Sequence, residues 1–298
     1  MEYSDDDHRL AAQLADGAGR LLVEMRTSML ADGSDAAEVK DAGDRASHEW
    51  LMDALAAARP DDAVLSEEAT AEESRNSRRL SAERVWVIDP VDGTREYGEG
   101  RSDWAVHVAL VMDGSPTAAA VSLPALGVVF SSDPPSTAPP AAERLRVVVS
   151  RSRPPAEALA VASALGAELI EMGSAGAKAM SILRGEADIY AHSGGQYEWD
   201  SCAPVGVATA AGLHCSRLDG SDLIYNRADP YLPDLLICRP EHAGAVLGAL
   251  EEFWRDGADE DGPAPTASGR DDGDPAVVDG TPAEAKGGVR NEPGSDRR

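Results

Sequence analysis

From residue 155 to residue 254 the sequence alternates between helix-like and strand-like stretches, and this alternation most narrows the folds open to it. A helical pattern over 155–165 leads to an apolar run over 168–170, and a second over 175–183 leads to a run over 188–191. A helix opening near Asp200 then precedes a short strand over 235–238 and a last helix over 241–254. Helices and strands taken in turn pack as layers, so the pattern predicts a layered α/β architecture. Upstream, Leu10, Leu14, Ala18, Leu21, Leu22 and Met25 fall on one face of a helix predicted over 7–29. A second helix is predicted over 45–58, with Pro60 beyond its end. Short β-rich runs follow at 63–65, 85–88 and 104–111, with further strands at 118–123, 128–130 and 145–149. The Pro-rich stretch 133–142 reads as a loop and a seam between two halves, 1–135 and 143–256. Residues 257–298 hold almost no large apolar side chains, and such a segment cannot offset the entropy of ordering, so a disordered acidic tail is expected.

The chemistry concentrates in Val85-Trp86-Val87-Ile88-Asp89-Pro90-Val91-Asp92-Gly93-Thr94. An apolar strand delivers Asp89 at its end, Pro90 stops the ladder, and Asp92 follows on a turn that Gly93 permits. Two carboxylates three residues apart across a turn can converge on one point. Magnesium takes oxygen ligands in near-octahedral geometry, commonly one or two carboxylates together with waters and phosphate oxygens. The turn also frees the Val91 carbonyl as a neutral ligand, and Gly93 and Thr94 offer backbone N–H groups to phosphate oxygens. Asp-Pro-x-Asp-Gly is also an ordinary turn sequence, so further acids must support the metal reading. Ser66-Glu67-Glu68 places acids just after a short strand, Trp199-Asp200 puts an aspartate at an expected helix N-cap, and Asp41-Ala42-Gly43-Asp44 sets another at an expected helix start. The bland alternative for Asp200 and Asp44 is plain capping, worth about 1 kcal/mol each.

Charge bears on partners. The formal net charge is −26, and lysine occurs only at Lys40, Lys178 and Lys286. Such a surface repels nucleic-acid backbones and anionic membranes, so neither is an expected partner. A phosphorylated small molecule would be repelled too, unless bound divalent cations reverse the sign in the site. No apolar run approaches the roughly 18 residues of a membrane-spanning helix, and the acidic opening Met1 to Asp7 is unlike a signal peptide, so a cytoplasmic location is expected. Cys202, Cys215 and Cys238 show no metal-ligand spacing and read as packed thiols.

Together these segments resemble the lithium-sensitive, magnesium-dependent phosphatase family typified by inositol monophosphatase, fructose-1,6-bisphosphatase and the 3′(2′),5′-bisphosphate nucleotidases. Ser66-Glu67-Glu68, Asp89 to Thr94 and Trp199-Asp200 match its three motifs in order, over roughly residues 8–255. Val64-Leu65-Ser66-Glu67-Glu68-Ala69, Asp92-Gly93-Thr94-Arg95-Glu96-Tyr97 and Gly173-Ser174-Ala175-Gly176-Ala177-Lys178 are most similar to the CysQ-type nucleotidase branch of actinobacteria. The resemblance implies an αβαβα sandwich, a monomer or homodimer, and two or three Mg2+ per site. It implies one ion on Glu67, Asp89 and the Val91 carbonyl, a second on Asp89, Asp92 and Asp200, and a third helped into place by Glu67. Asp44 and Thr94 would orient the attacking water, although the family's Thr-x-Ala-Asp reads Asp41-Ala42-Gly43-Asp44 here and lacks the supporting hydroxyl.

The implied reaction is magnesium-assisted hydrolysis of a phosphomonoester, with 3′-phosphoadenosine 5′-phosphate as the expected substrate and its sulfated form as a further one. Beyond the cage, Arg153 in Ser150-Arg151-Ser152-Arg153 and Lys178 are expected to hold a second phosphate as charged donors. Ala175 stands where the nucleotidases carry serine, Arg153 where they carry histidine, and His192 where they carry arginine. Tyr197 and Trp199 could flank a base or pack the core. An inositol monophosphatase or a fructose-1,6-bisphosphatase is the alternative within the family, and a non-catalytic binding protein on the same fold is the alternative of another class. The haloacid-dehalogenase signature Asp-x-Asp-Gly-Thr spaces its acids by two, whereas Asp89 and Asp92 are three apart with a proline between.

Overall fold

The computed structural model describes residues 5–69, 77–141 and 143–260. Helices α1 (Asp5–Ala31) and α2 (Ala36–Ala58) lie against a first sheet of β1 (Ala63–Ser66), β2 (Val85–Asp92), β3 (Ala105–Met112), β4 (Ser115–Leu123) and β5 (Val128–Ser131). The strands follow in that order; β1 pairs parallel with β2 and the others pair antiparallel. The short helices α3 (Ser77–Ser81) and α4 (Thr94–Gly98) flank β2 in sequence. The second sheet holds β6 (Arg146–Ser150), β7 (Glu168–Met172), β8 (Ile189–Tyr197), β9 (His214–Ser216) and β10 (Tyr231–Cys238) in the order β7-β6-β8-β10-β9. Helices α6 (Ala175–Leu183) and α7 (Glu198–Ala210) touch both sheets, while α5 (Ala156–Leu165) and α8 (Pro240–Glu260) cover the outer face of the second. The layers therefore run αβαβα.

Three cores fill the interlayer spaces. Leu14, Leu22, Leu51 and Leu55 pack on Trp86, Ile88 and Val108. Val87, Ala109 and Val121 pack through Met180, Cys202 and Val207 to Tyr190 and Ile237. Val147, Val149 and Ile189 meet Val161, Val246 and Leu250 on the far side. Every residue of β2 is buried, as a strand covered on both faces requires.

Several boundaries differ from the sequence expectation. The second helix opens at Ala36, not near residue 45, because Asp35 caps it in a reciprocal capping box with Glu38. Asp44 thus lies inside a helix and caps nothing. Pro90 does not end β2: the ladder breaks between Asp89 and Asp92 and resumes at Asp92 opposite Ala105. The last helix continues to Glu260, past its predicted end at 254 and into the expected tail, whose residues 261–298 lie outside the described residues. No helix among the described residues is long and apolar enough to cross a membrane.

Candidate active site

The break in β2 makes the site. Asp89 ends the regular ladder, and its Oδ1 accepts the Val91 N–H at 3.1 Å, folding the chain back over itself. Gly93 takes φ +83°, where a Cβ is disfavoured, and turns the chain into α4. The Thr94 hydroxyl then donates to the Val91 carbonyl at 3.3 Å. From the middle layer, the first turn of α7 brings Asp200. It is the third helical residue, not the N-cap as expected; Tyr197 holds that place and donates its N–H to Asp200 Oδ2 at 2.6 Å.

Ligand oxygens of Asp89, Asp92 and Asp200 lie within 4.8 Å of one another. Glu67, just past the end of β1, is not one of the three whose oxygens converge, although it interacts with Asp89. Burial, then the charges of Glu67, Asp92 and Asp200, pushes the Asp89 carboxyl well above the usual range. Burial and then Asp92 push Asp200 up to about 7. Glu67 is exposed as a residue, yet the protein packed around its carboxyl raises it to about 7; the bond from Asp89 works against that rise, and the charges of Asp92, Glu68 and Asp44 add to it. Neither Asp89 nor Asp200 has a cationic side chain within ion-pair distance among the described residues. Converging carboxylate oxygens that repel one another are the donor set a hard divalent cation takes, so the residues fit the metal that the motif implies.

Asp92 is held differently. Burial opposes its charge, but His107, Ser174 and Lys178 hold the carboxyl down at about 2. Its Oδ2 accepts from the Ser174 hydroxyl and from the Gly176 N–H at 2.6 Å, and its Oδ1 accepts from the Ala175 N–H at 3.1 Å. The start of α6 therefore grips the carboxylate with one side chain and two amides. Sequence reasoning missed Ser174 and His107. A serine capping an apolar helix was the available signal for the first; His107, alone in an apolar strand, gave none.

The remaining candidates are placed as follows. Asp44, half-buried, is raised to about 7 by burial and then by Glu68, with Lys40 opposing. Lys178, expected to reach a second phosphate, is only 4% exposed: its ammonium donates to the Gly173 carbonyl and to the Ser174 carbonyl at 2.9 Å, over the Tyr190 ring. Arg153 is exposed and forms no side-chain hydrogen bond or ion pair among the described residues. It lies close enough to His192 to act on it, and burial, then Lys178, brings that imidazole down to about 4, so it is neutral at pH 7. Tyr197 and Trp199 stack on each other with centroids 4.9 Å apart, Tyr197 outermost and Trp199 against the core. Arg151 is committed elsewhere, donating to Glu96 at 2.7 Å and to Glu99 at 2.8 Å. All three cysteines are free.

Comparison with known proteins agrees with this geometry. A model described as the inositol monophosphatase family matches residues 6–254. Over 249 residues the chain is 50% identical to a Mycobacterium tuberculosis protein named 3′-phosphoadenosine 5′-phosphate phosphatase, covering 80% of this chain and 91% of that one. Over 207 residues it is 30% identical to the Escherichia coli (strain K12) protein named 3′(2′),5′-bisphosphate nucleotidase CysQ, covering 64% of this chain and 81% of that one. The solved structure of CysQ from Bacteroides thetaiotaomicron matches with a TM-score of 0.66 at 22% identity, over 80% of this chain and 98% of that one. At that identity the likeness establishes the fold.

Proposed function

The chain belongs to the inositol monophosphatase family, a family of metal-dependent phosphatases, and from that premise we propose that it hydrolyses 3′-phosphoadenosine 5′-phosphate to AMP and phosphate. The sulfated analogue, 3′-phosphoadenosine 5′-phosphosulfate, is a further substrate to test. What supports the substrate class is the half-identical relative that carries that name across nearly its whole length. What supports the chemistry is the convergence of Asp89, Asp92 and Asp200 on one point.

In this reading Asp89, Asp92, Asp200, Glu67 and the Val91 carbonyl hold two or three Mg2+. When bound, magnesium neutralises the phosphate dianion, supplies a water of lowered pKa and stabilises the leaving oxygen. The protein does the rest. The N–H groups of Gly93 and Thr94 lie at the opening of α4, where no intrahelical acceptor takes them, and receive phosphate oxygens. Asp44 and the Thr94 hydroxyl orient the attacking water, and Glu67 interacts with both Asp89 and Asp44. Lys178 acts here through Gly173 and Ser174, steadying the loop that grips Asp92. Arg153, unpaired and exposed, is left to meet the second phosphate.

Turnover with Mg2+ on 3′-phosphoadenosine 5′-phosphate, inositol 1-phosphate and fructose 1,6-bisphosphate tests the proposal. The nucleotide is expected to win on kcat/KM; a tenfold preference for either of the others would overturn the substrate assignment. Arg153→Ala is expected to raise KM for the bisphosphate about tenfold with little change in kcat, the size of one lost hydrogen bond to a charged group. An unchanged KM would remove Arg153 from the site.

A further inference from the structure

His107 is fully buried on β3, and both ring nitrogens face acceptors on the two elements that carry metal-cage aspartates. Nδ1 lies 3.0 Å from the carbonyl oxygen of Trp199, the residue before Asp200. Nε2 lies 3.2 Å from Asp92 Oδ2. Nδ1 donates to that carbonyl, whereas Nε2 makes an ion-pair contact with the carboxylate that lacks hydrogen-bond geometry. Space for it is made on the third side by Gly176, where a Cβ would stand 2.1 Å from Nε2.

Asp92 sits on the first sheet and Asp200 on the middle helix layer, 108 positions apart in the numbering, and nothing covalent sets their separation. Asp200 is tied to its own helix by the Tyr197 N–H, and Asp92 to the start of α6. His107 is in contact with the Asp92 carboxylate and with the carbonyl of Trp199, the residue before Asp200. We infer that His107 is a positioning residue: a two-ended strut that fixes the gap between Asp92 and the first turn of α7, and so sets the affinity of the cage for its cation. A side chain that orients a ligand in this way is worth about ten- to a hundredfold in metal affinity. The inference rests on the reading of these acids as a cation cage.

Two amide substitutions separate the ends of the strut. His107→Asn can keep a donor near the Nδ1 position and so the Trp199 bond, and His107→Gln can keep one near Nε2 and so the Asp92 contact. Mg2+ titrations of the full chain by calorimetry, with metal-free melting temperatures alongside, are the measurements. Both variants, and Gly176→Ala, which leaves the imidazole in the chain but forces it aside, are expected to bind Mg2+ at least about tenfold more weakly than the parent. If either amide variant binds as the parent does, the strut has only one working end and the inference falls. It falls as well if all three bind normally while melting lower, since His107 is then only a packing residue. A parent protein that binds no Mg2+ would instead sink the cage reading, and this inference with it. His107→Phe removes both contacts and is expected to be the weakest binder; should it fail to fold, the amide variants and Gly176→Ala still decide.

Discussion

Asp89→Asn is expected to abolish turnover while raising the melting temperature of the metal-free protein, whereas Asp92→Asn abolishes turnover and lowers it. In the proposed reading both remove a ligand, and losing several kcal/mol of metal-borne charge stabilisation corresponds to about a thousandfold or more in kcat. Stability separates them because the two carboxyls are held by opposite forces. Asp89 is buried among Glu67, Asp92 and Asp200. In the metal-free fold it either keeps a repelled charge or takes up a proton that the unfolded chain does not hold at pH 7. Either way there is a cost that a neutral amide avoids. Asp92 receives the Ser174 hydroxyl, two amides and His107, all of which favour the charged form. Its amide variant turns an –NH2 towards some of those donors and loses about 2 kcal/mol, or about 4–8 °C for a chain of this size. Differential scanning fluorimetry in EDTA checks both. Shifts of the same sign would mean that the acids are not divided into one repelled and one gripped.

That division could not be read from the sequence, where Asp89 and Asp92 look alike. The approach of Asp89 and Asp92 to one another was legible because its parts are local: an apolar strand, a proline break and a glycine turn dictate where two carboxylates point. Trp199-Asp200 and Ser66-Glu67 could be matched by motif, but the side chains that grip the cage come from other layers. His107 meets partners at positions 92 and 199, and no periodicity in β3 signals that. For Lys178 the expectation is a contact with a second phosphate. Instead its stem folds back over one helical turn and satisfies the carbonyls of Gly173 and Ser174, which an isolated lysine cannot announce. Gly43 has a packing reason that local sequence does not announce. It lies within α2, and a Cβ there would come within 2.4 Å of the Tyr97 ring. Close approach, and not chain direction, placed that glycine.

The metal-free protein is expected to be most stable near pH 4 and to weaken as pH rises towards 7, and Mg2+ is expected to cancel that loss. Asp200 and Glu67 ionise at about 7 in the fold, against ordinary values of 3.8 and 4.5. Between those limits the folded state binds more protons than the unfolded one, so stability falls with rising pH and the loss is complete above about 7. Asp44, raised to about 7, adds to the slope. His107, held above its ordinary value, adds in the same direction: its contribution is present below 6.5 and is lost as pH passes the raised value. Two groups work oppositely. The contribution of Asp92 is present above 3.8 and lost only as pH falls towards 2. That of His192 is present above 6.5 and lost as pH falls towards 4, where the three raised carboxyls outweigh it. A cation in the cage competes with the protons, so its effect grows as they leave. At a hundred times its dissociation constant it contributes about 2.7 kcal/mol. For a chain of this size that is a rise of about 5–10 °C at pH 7.5, shrinking towards zero near pH 5. Melting curves from pH 4 to 8, in EDTA and in Mg2+, read this directly. An Mg2+ shift of equal size at pH 5 and 7.5 would show that the cation binds somewhere other than among these acids.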